Sequence, residues 1–129
     1  MTTHSDIVPA ALAGRTLANY SFSTEHKRRP GRGYLSRALH DVLSARYYAG
    51  AVTQVIYSYA TPIAWLDGDA WVIPNVKYSA TTSCKHATHL YKLPNRVSVN
   101  WDTPMNEYLR VIAGLMVYTD KGTSPGESA

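Results

Sequence analysis

The chain has 129 residues, of which 45% are apolar, with ten tyrosines and three tryptophans; that suits one domain with a real hydrophobic core and argues against global disorder. Thirteen Lys and Arg against nine Asp and Glu leave a net charge of +4, which favours an acidic partner without choosing one. The single cysteine excludes an intramolecular disulfide, and the apolar runs are too short and interrupted to span a bilayer.

The pattern implies an α+β fold, a small antiparallel sheet of three to four strands packed against two or three helices. We expect a single compact domain over residues 1–129, with flexible ends at about 1–14 and 120–129. MTTHSDIVPAALAG lacks a positive start followed by a sustained apolar run, so no secretory signal is expected. Pro9 and Gly14 punctuate it, while Ile7, Val8, Leu12 and Leu17 could dock on a core. Thr16–Ser23 alternates loosely, as a short strand does. Residues 24–33 read as a polar loop carrying the basic run His26–Arg32, HKRRPGR. From Gly33 to Tyr48, helical spacing places Leu35, Leu39, Val42, Leu43 and Tyr47 on one buried face and Arg37 and Asp41 outside, with Gly50 as a stop.

VTQVIYSY, TPIAWL and AWVIP then read as two or three antiparallel strands, with Asp67–Gly68 as a turn. Pro62 belongs at an edge, a strand start or a bulge, because it donates no ladder hydrogen bond. Trp65 and Trp71 are expected to pack, with exposed base-stacking as the alternative role. Further on, Val97, Val99 and Trp101 alternate as in a strand. Thr103–Pro104 suits a helix start, with Met105, Leu109, Ile112 and Met116 as the buried stripe, Tyr108 and Leu115 beside it.

Tyr78–Leu93, YSATTSCKHATHLYKL, is the most informative stretch, with three basic-edge positions and no carboxylate. A helix starting near Thr81 or Thr82 would be capped by Ser79, Thr81, Thr82 or Ser83. α-Helical projection places Lys85, Thr88, His89 and Lys92 on one face, and Cys84, Ala87, Leu90 and Tyr91 on the other. Orphan N–H groups and the positive end of the dipole favour an anion at such a start. Ordinary capping accounts for the same composition.

Tyr59, Thr61, Ile63 and Ala64, followed by Tyr78, Thr81, Thr82, Lys85 and His86, resemble a family of small uncharacterised phage and mobile-element proteins. Its pattern is a Y-x-T-x-I-A strand, a turn, then an aromatic residue and T-T before a basic helix. The similarity covers roughly residues 55–92. It implies a phage protein working in the cytoplasm of a host cell, and it brings no catalytic residue with it.

Reactive chemistry finds little support. Cys84 and His86 at i,i+2 on a helix point about 160° apart, so they form no thiolate–imidazole pair. His86 and His89 would need His26 or His40 to complete a metal site, and no zinc spacing is present. GRGYL lacks the phosphate-loop pattern. No catalytic residue, metal ligand or cofactor is therefore assigned. The leading expectation is a non-enzymatic protein binding DNA or RNA mainly through phosphates, using Ser79, Thr81, Thr82, Lys85, His89 and Lys92, helped by Lys27, Arg28, Arg29 and Arg32. The alternative is an interaction or inhibitory module that binds a host protein through aromatic anchors. No membrane partner is expected, and an exposed strand edge would allow a homodimer.

Overall fold

A computed structural model describes residues 4–19, 21–75 and 86–122, the stretch 115–122 as backbone only. A 3-10 turn (His4–Asp6) leads into α1 (Ile7–Leu12), followed by β1 (Leu17–Asn19), β2 (Phe22–His26) and α2 (Arg37–Tyr48). Then come β3 (Val52–Ser58), β4 (Thr61–Asp67), β5 (Ala70–Asn75), a 3-10 helix (Ala87–Lys92), β6 (Arg96–Asn100) and α3 (Met105–Gly122).

The class is α+β, but the sheet is larger than expected and mixed. Six strands lie in the order β1-β2-β3-β4-β5-β6, antiparallel up to β5, with β6 parallel to β5. Two features account for the difference. The stretch that reads as one strand is a tight hairpin, Asn19 pairing with Phe22, and β2 continues to His26, paired with Gln54. A parallel neighbour needs a crossover, and the crossover here occupies the segment between β5 and β6.

Period-two alternation divides the side chains between two layers. Val55, Tyr57, Trp65, Val72 and Val99 meet Leu35 just before α2, Leu39, Val42 and Leu43 of α2, and Tyr108 and Ile112 of α3. Ile56, Ile63, Ala64 and Trp71 meet Ile7, Val8 and Ala11 of α1 and Leu90 and Leu93 of the crossover. Both tryptophans sought as packing residues are buried. Near the N-terminus, Ile7 and Val8 dock on the core while Leu12 is half exposed. Pro62 sits at a bulge: Ile56 pairs with Ala64 and Tyr57 with Pro62, leaving Ile63 as the extra residue.

The helix ends follow local chemistry. Ser36 Oγ accepts from Leu39 N–H at 3.2 Å, so α2 begins at Arg37 rather than near Gly33. It stops at Gly50, whose φ of +81° lets Gly50 N–H reach Tyr47 O and Ala51 N–H reach Arg46 O. At the entry to α3 the Thr103 hydroxyl donates to Asn100 O at 2.8 Å. The buried line of α3 is Tyr108 and Ile112, with Leu109 40% exposed, so the expected stripe is rotated.

The strand ends define two ends of the molecule. The two-residue turn Tyr59–Ala60 between β3 and β4 marks one, and the Asp67–Ala70 turn between β4 and β5 marks the other.

Candidate functional site

The basic run His26–Arg32 leaves β2 at the Asp67 end and returns across the α2 side of the sheet to the Tyr59 end. Backbone anchors hold its course. Lys27 N–H donates to Thr53 O at 2.8 Å, Gly31 N–H to the Tyr57 hydroxyl at 3.2 Å, and Tyr34 N–H to Thr61 Oγ1 at 2.8 Å. Arg32 Nε donates to Leu35 O at 2.9 Å. Gly33 passes so close to the β3–β4 turn that a Cβ there would stand 2.4 Å from Ala60 O, and its φ is +53°. Lys27, Arg28, Arg29 and Arg32 are exposed, and among the described residues none of the four forms an ion pair. The Tyr34 ring beside them is 91% exposed. His26 has another occupation, its Nδ1 lying 2.8 Å from Gln54 Oε1.

Under this loop lies an open cleft of about 220 Å³, lined by Ser23, Glu25, Gly31, Tyr57, Tyr59 and Ala60. Ser23 and Tyr57 are register partners, and Glu25 stands two residues along β2 on the same face. Burial pushes the Tyr57 hydroxyl up to about 12, the Gly31 N–H works against that, and the adjacent Glu25 carboxylate adds to it by charge and hydrogen bond. Tyr57 therefore stays neutral beside Glu25. Tyr59 occupies the first position of its turn at φ +55°, a place where glycine is the usual residue, and its side chain is 55% exposed.

Ser79, Thr81, Thr82 and Lys85, with Cys84, lie outside the described residues. The rest of the crossover departs from the expected α-helix. Residues Ala87–Lys92 form a 3-10 helix, and three residues per turn align Ala87, Leu90 and Leu93 toward the core. The change of pitch turns Tyr91 outward, to 69% exposure. Lys92 is exposed and His89 half-buried. Burial lowers the His89 pKa first, with the positive charges of Lys92 and His4 adding to it. His89 is thus a poor cation at neutral pH. Lys92 sits on the layer that covers the α1 side of the sheet, next to β6, whose first residue pairs with Trp71 at the Asp67 end. Among the described residues, Lys92 and the basic loop therefore flank opposite faces of the sheet.

His86 is fully buried. Its Nδ1 lies 2.6 Å from Ser58 Oγ and its Nε2 3.2 Å from Ser21 Oγ. The ring stacks on Phe22 at 4.8 Å and meets His4 edge-on at 4.9 Å and Tyr59 at 5.7 Å. His4, rather than His26 or His40, is the histidine beside it. Among the described residues no group of three His, Cys, Asp or Glu side chains is arranged to hold a metal ion. With Ser58 also buried, the hydroxyls pin the crossover to the β1–β2 and β3–β4 turns.

The second polar cluster is at the Asp67 end. Arg46 Nε and Nη2 donate to Asp67 Oδ2 and Oδ1 at 2.8 and 2.9 Å. The Tyr108 hydroxyl donates to Asp67 Oδ2 at 2.8 Å and accepts from Trp65 Nε1 at 2.9 Å. The hydrogen bond to Asp67 raises the Arg46 pKa, and burial first, then the Asp67 charge, raises that of Tyr108. Asp67, expected only to make a turn, joins α2, β4 and α3.

Sequence reasoning found the basic loop but missed Glu25, Tyr57 and Tyr59. One signal was available: VTQVIYSY and TPIAWL are separated by a turn without glycine, which forces an ordinary side chain into a glycine position.

The molecule is a small α+β protein built on a six-stranded mixed sheet, with an anchored basic loop over a polar cleft. It belongs to the Family of unknown function (DUF8033), which matches residues 19–99. The matched stretch runs from β1 through β6 and contains the loop, the cleft and His86. No curated protein and no solved structure matches the chain. Among the described residues, no helix is long and apolar enough to cross a membrane.

Proposed function

We propose that this is a small non-enzymatic accessory protein, of phage origin as the sequence resemblance implies, that binds nucleic acid through phosphate contacts made by Lys27, Arg28, Arg29 and Arg32. The observation that carries the reading is the anchored loop: four exposed cations, without an ion pair among the described residues, on a backbone tied to β3 and β4. A preorganised loop loses less conformational freedom when phosphates bind than a free one. Exposed Tyr34 and Tyr59 rings at the same end of the sheet favour a strand whose bases are unstacked.

Lys92 plays no part in this interface, because it flanks the other face of the sheet. Fluorescence anisotropy with a labelled single-stranded 12-mer, titrated at several salt concentrations, tests the proposal. Affinity should fall linearly with salt on logarithmic axes, with a slope of about 0.7 per contacted phosphate. The double variant Arg28→Glu, Arg29→Glu should lose at least about tenfold in affinity and reduce the slope by about 1.4. Lys92→Ala should match the unaltered protein. Absence of binding at low salt, or equal slopes for all three proteins, sinks the reading. Capture of one stoichiometric host protein that survives nuclease treatment would favour the interaction-module alternative.

A further inference from the structure

Resting on the nucleic-acid reading, the geometry points to the cleft beneath the basic loop as a site for one unpaired guanine. The strand's phosphates would lie on Arg28, Arg29 and Arg32, the base on Tyr59, and its Watson–Crick edge against Glu25.

Size sets the first limit. A cleft of about 220 Å³ falls below the ~300 Å³ at which pockets begin to take drug-sized ligands, so it suits one planar ring system rather than a whole cofactor. Position sets the second. Gly31 of the loop forms one wall, so a group in the cleft is at once beside the cations. A nucleotide has this form, a flat uncharged ring attached to an anion.

The lining chooses the base. An ionised carboxylate only accepts hydrogen bonds, and its two oxygens offer about four acceptor sites. The Tyr57 hydroxyl accepts from Gly31 N–H at 3.2 Å, and even with its own proton given to the neighbouring Glu25 the carboxylate keeps room for further donors. Guanine carries N1–H and N2–H side by side on its pairing edge. Adenine and cytosine put one amino group next to a ring-nitrogen acceptor, and thymine and uracil flank N3–H with two carbonyls. Each of these would set an acceptor against the second carboxylate oxygen. Ser23 Oγ, able to donate and accept, completes the polar wall. A duplex hides the edge being read, so the site requires a single strand.

Tyr59 supplies the stacking surface. The residue lines the cleft, and its side chain is 55% exposed. Its backbone is held at φ +55° by the turn, with Tyr59 N–H donating to Ser21 O at 2.6 Å. The ring also meets His86, 5.7 Å between centroids, which restricts its movement.

The test uses the full chain and labelled 12-mers of thymidine carrying one central substitution, with uridine 12-mers as the RNA arm. A central guanine should bind roughly tenfold more tightly than thymine. Inosine, which lacks the 2-amino group, should lose most of that preference, and 7-deazaguanine, which keeps the pairing edge, should retain it. Glu25→Gln should abolish the preference while leaving binding to the all-thymidine strand at least as tight, since a negative charge has left a site facing phosphates. Tyr59→Ala should weaken every oligonucleotide about tenfold. The base analogues test recognition without altering the protein, and circular dichroism melting checks that both variants fold. Salt-sensitive binding with no distinction among bases, or a guanine preference that survives Glu25→Gln, overturns the cleft assignment and leaves the loop reading standing. No binding of any strand at low salt overturns both.

Discussion

The β3–β4 pair carries a hydrogen-bonded cluster at each end, and the two are built on opposite terms. At the Asp67 end, a carboxylate with 1% exposure takes both donors of an arginine fork and a tyrosine hydroxyl, and a tryptophan N–H closes the chain. Charge is matched, donors are matched, and three elements are locked together. At the Tyr59 end, Glu25 lies beside the neutral Tyr57 hydroxyl, Tyr59 is strained and half exposed, and the nearby cations face water. A buried charge is costly unless fully compensated, so the Asp67 cluster has chemistry suited to holding the fold. Incompletely matched groups around an open cleft have chemistry suited to holding something else.

Breaking the closed cluster should have the largest effect on stability. Asp67→Ala would leave Arg46 and the Tyr108 hydroxyl without their acceptor and should cost about 3–5 kcal/mol in urea unfolding. Tyr108→Phe keeps the ring and the charge pair but orphans Trp65 Nε1, for about 1–3 kcal/mol. Neither should alter the salt slope of nucleic-acid binding in protein that remains folded. The reverse substitutions sharpen the contrast: Glu25→Gln and Arg28→Glu, Arg29→Glu should leave the urea midpoint nearly unchanged. Equal stability losses at both ends would erase the distinction.

An intermediate effect is expected where the loop meets the hairpin. Gly33→Ala places a methyl 2.4 Å from Ala60 O and 2.5 Å from Thr61 Oγ1 at φ +53°, so the loop must lift from the turn. The positive φ alone costs about 1–2 kcal/mol, and the displaced loop should lose the Tyr34–Thr61 hydrogen bond. Affinity for a single strand should fall although no cation has been removed. If affinity held while stability dropped, the shape of the loop would be irrelevant to binding.

Much of the scaffold was legible because it obeys local rules. α2 announces itself by the spacing of Leu39, Val42 and Leu43 and ends at a glycine; Asp67–Gly68 marks its turn; Pro62 finds a bulge. The failures share a cause, which is that long-range pairing overrode a local pattern. β2 is polar on one side because Ser23 and Glu25 face the cleft, so it resembles a loop. Ala87–Lys92 winds as a 3-10 helix, and its tighter pitch sends Tyr91 outward and Leu93 inward. Tyr108, not Leu109, faces the core because Asp67 and Trp65 bind its hydroxyl. The site was legible only in its cations. Glu25 and Tyr57 come from strands whose partnership no spacing reveals, and Tyr59 announces itself only as a turn without glycine.

The smallest effect concerns His89, and its sign separates the crossover from the loop. Burial against Phe22, with Lys92 and His4 nearby, lowers its pKa below the ordinary 6.5. Above pH 6.5 both folded and unfolded chains hold it neutral, and it contributes no pH dependence. As pH falls below 6.5 the unfolded chain takes up the proton first, so stability is lost until the lowered folded value is passed. The slope from this one group cannot exceed about 1.4 kcal/mol per pH unit. Replacing the imidazole by a neutral amide, His89→Gln, should flatten that part of the stability profile as pH falls below 6.5. The salt slope of nucleic-acid binding at pH 7.5 should not change, because a neutral histidine contacts no phosphate as a cation. A weaker salt slope in His89→Gln at that pH would return the crossover to the binding surface and undo the assignment of phosphate contacts to the loop alone.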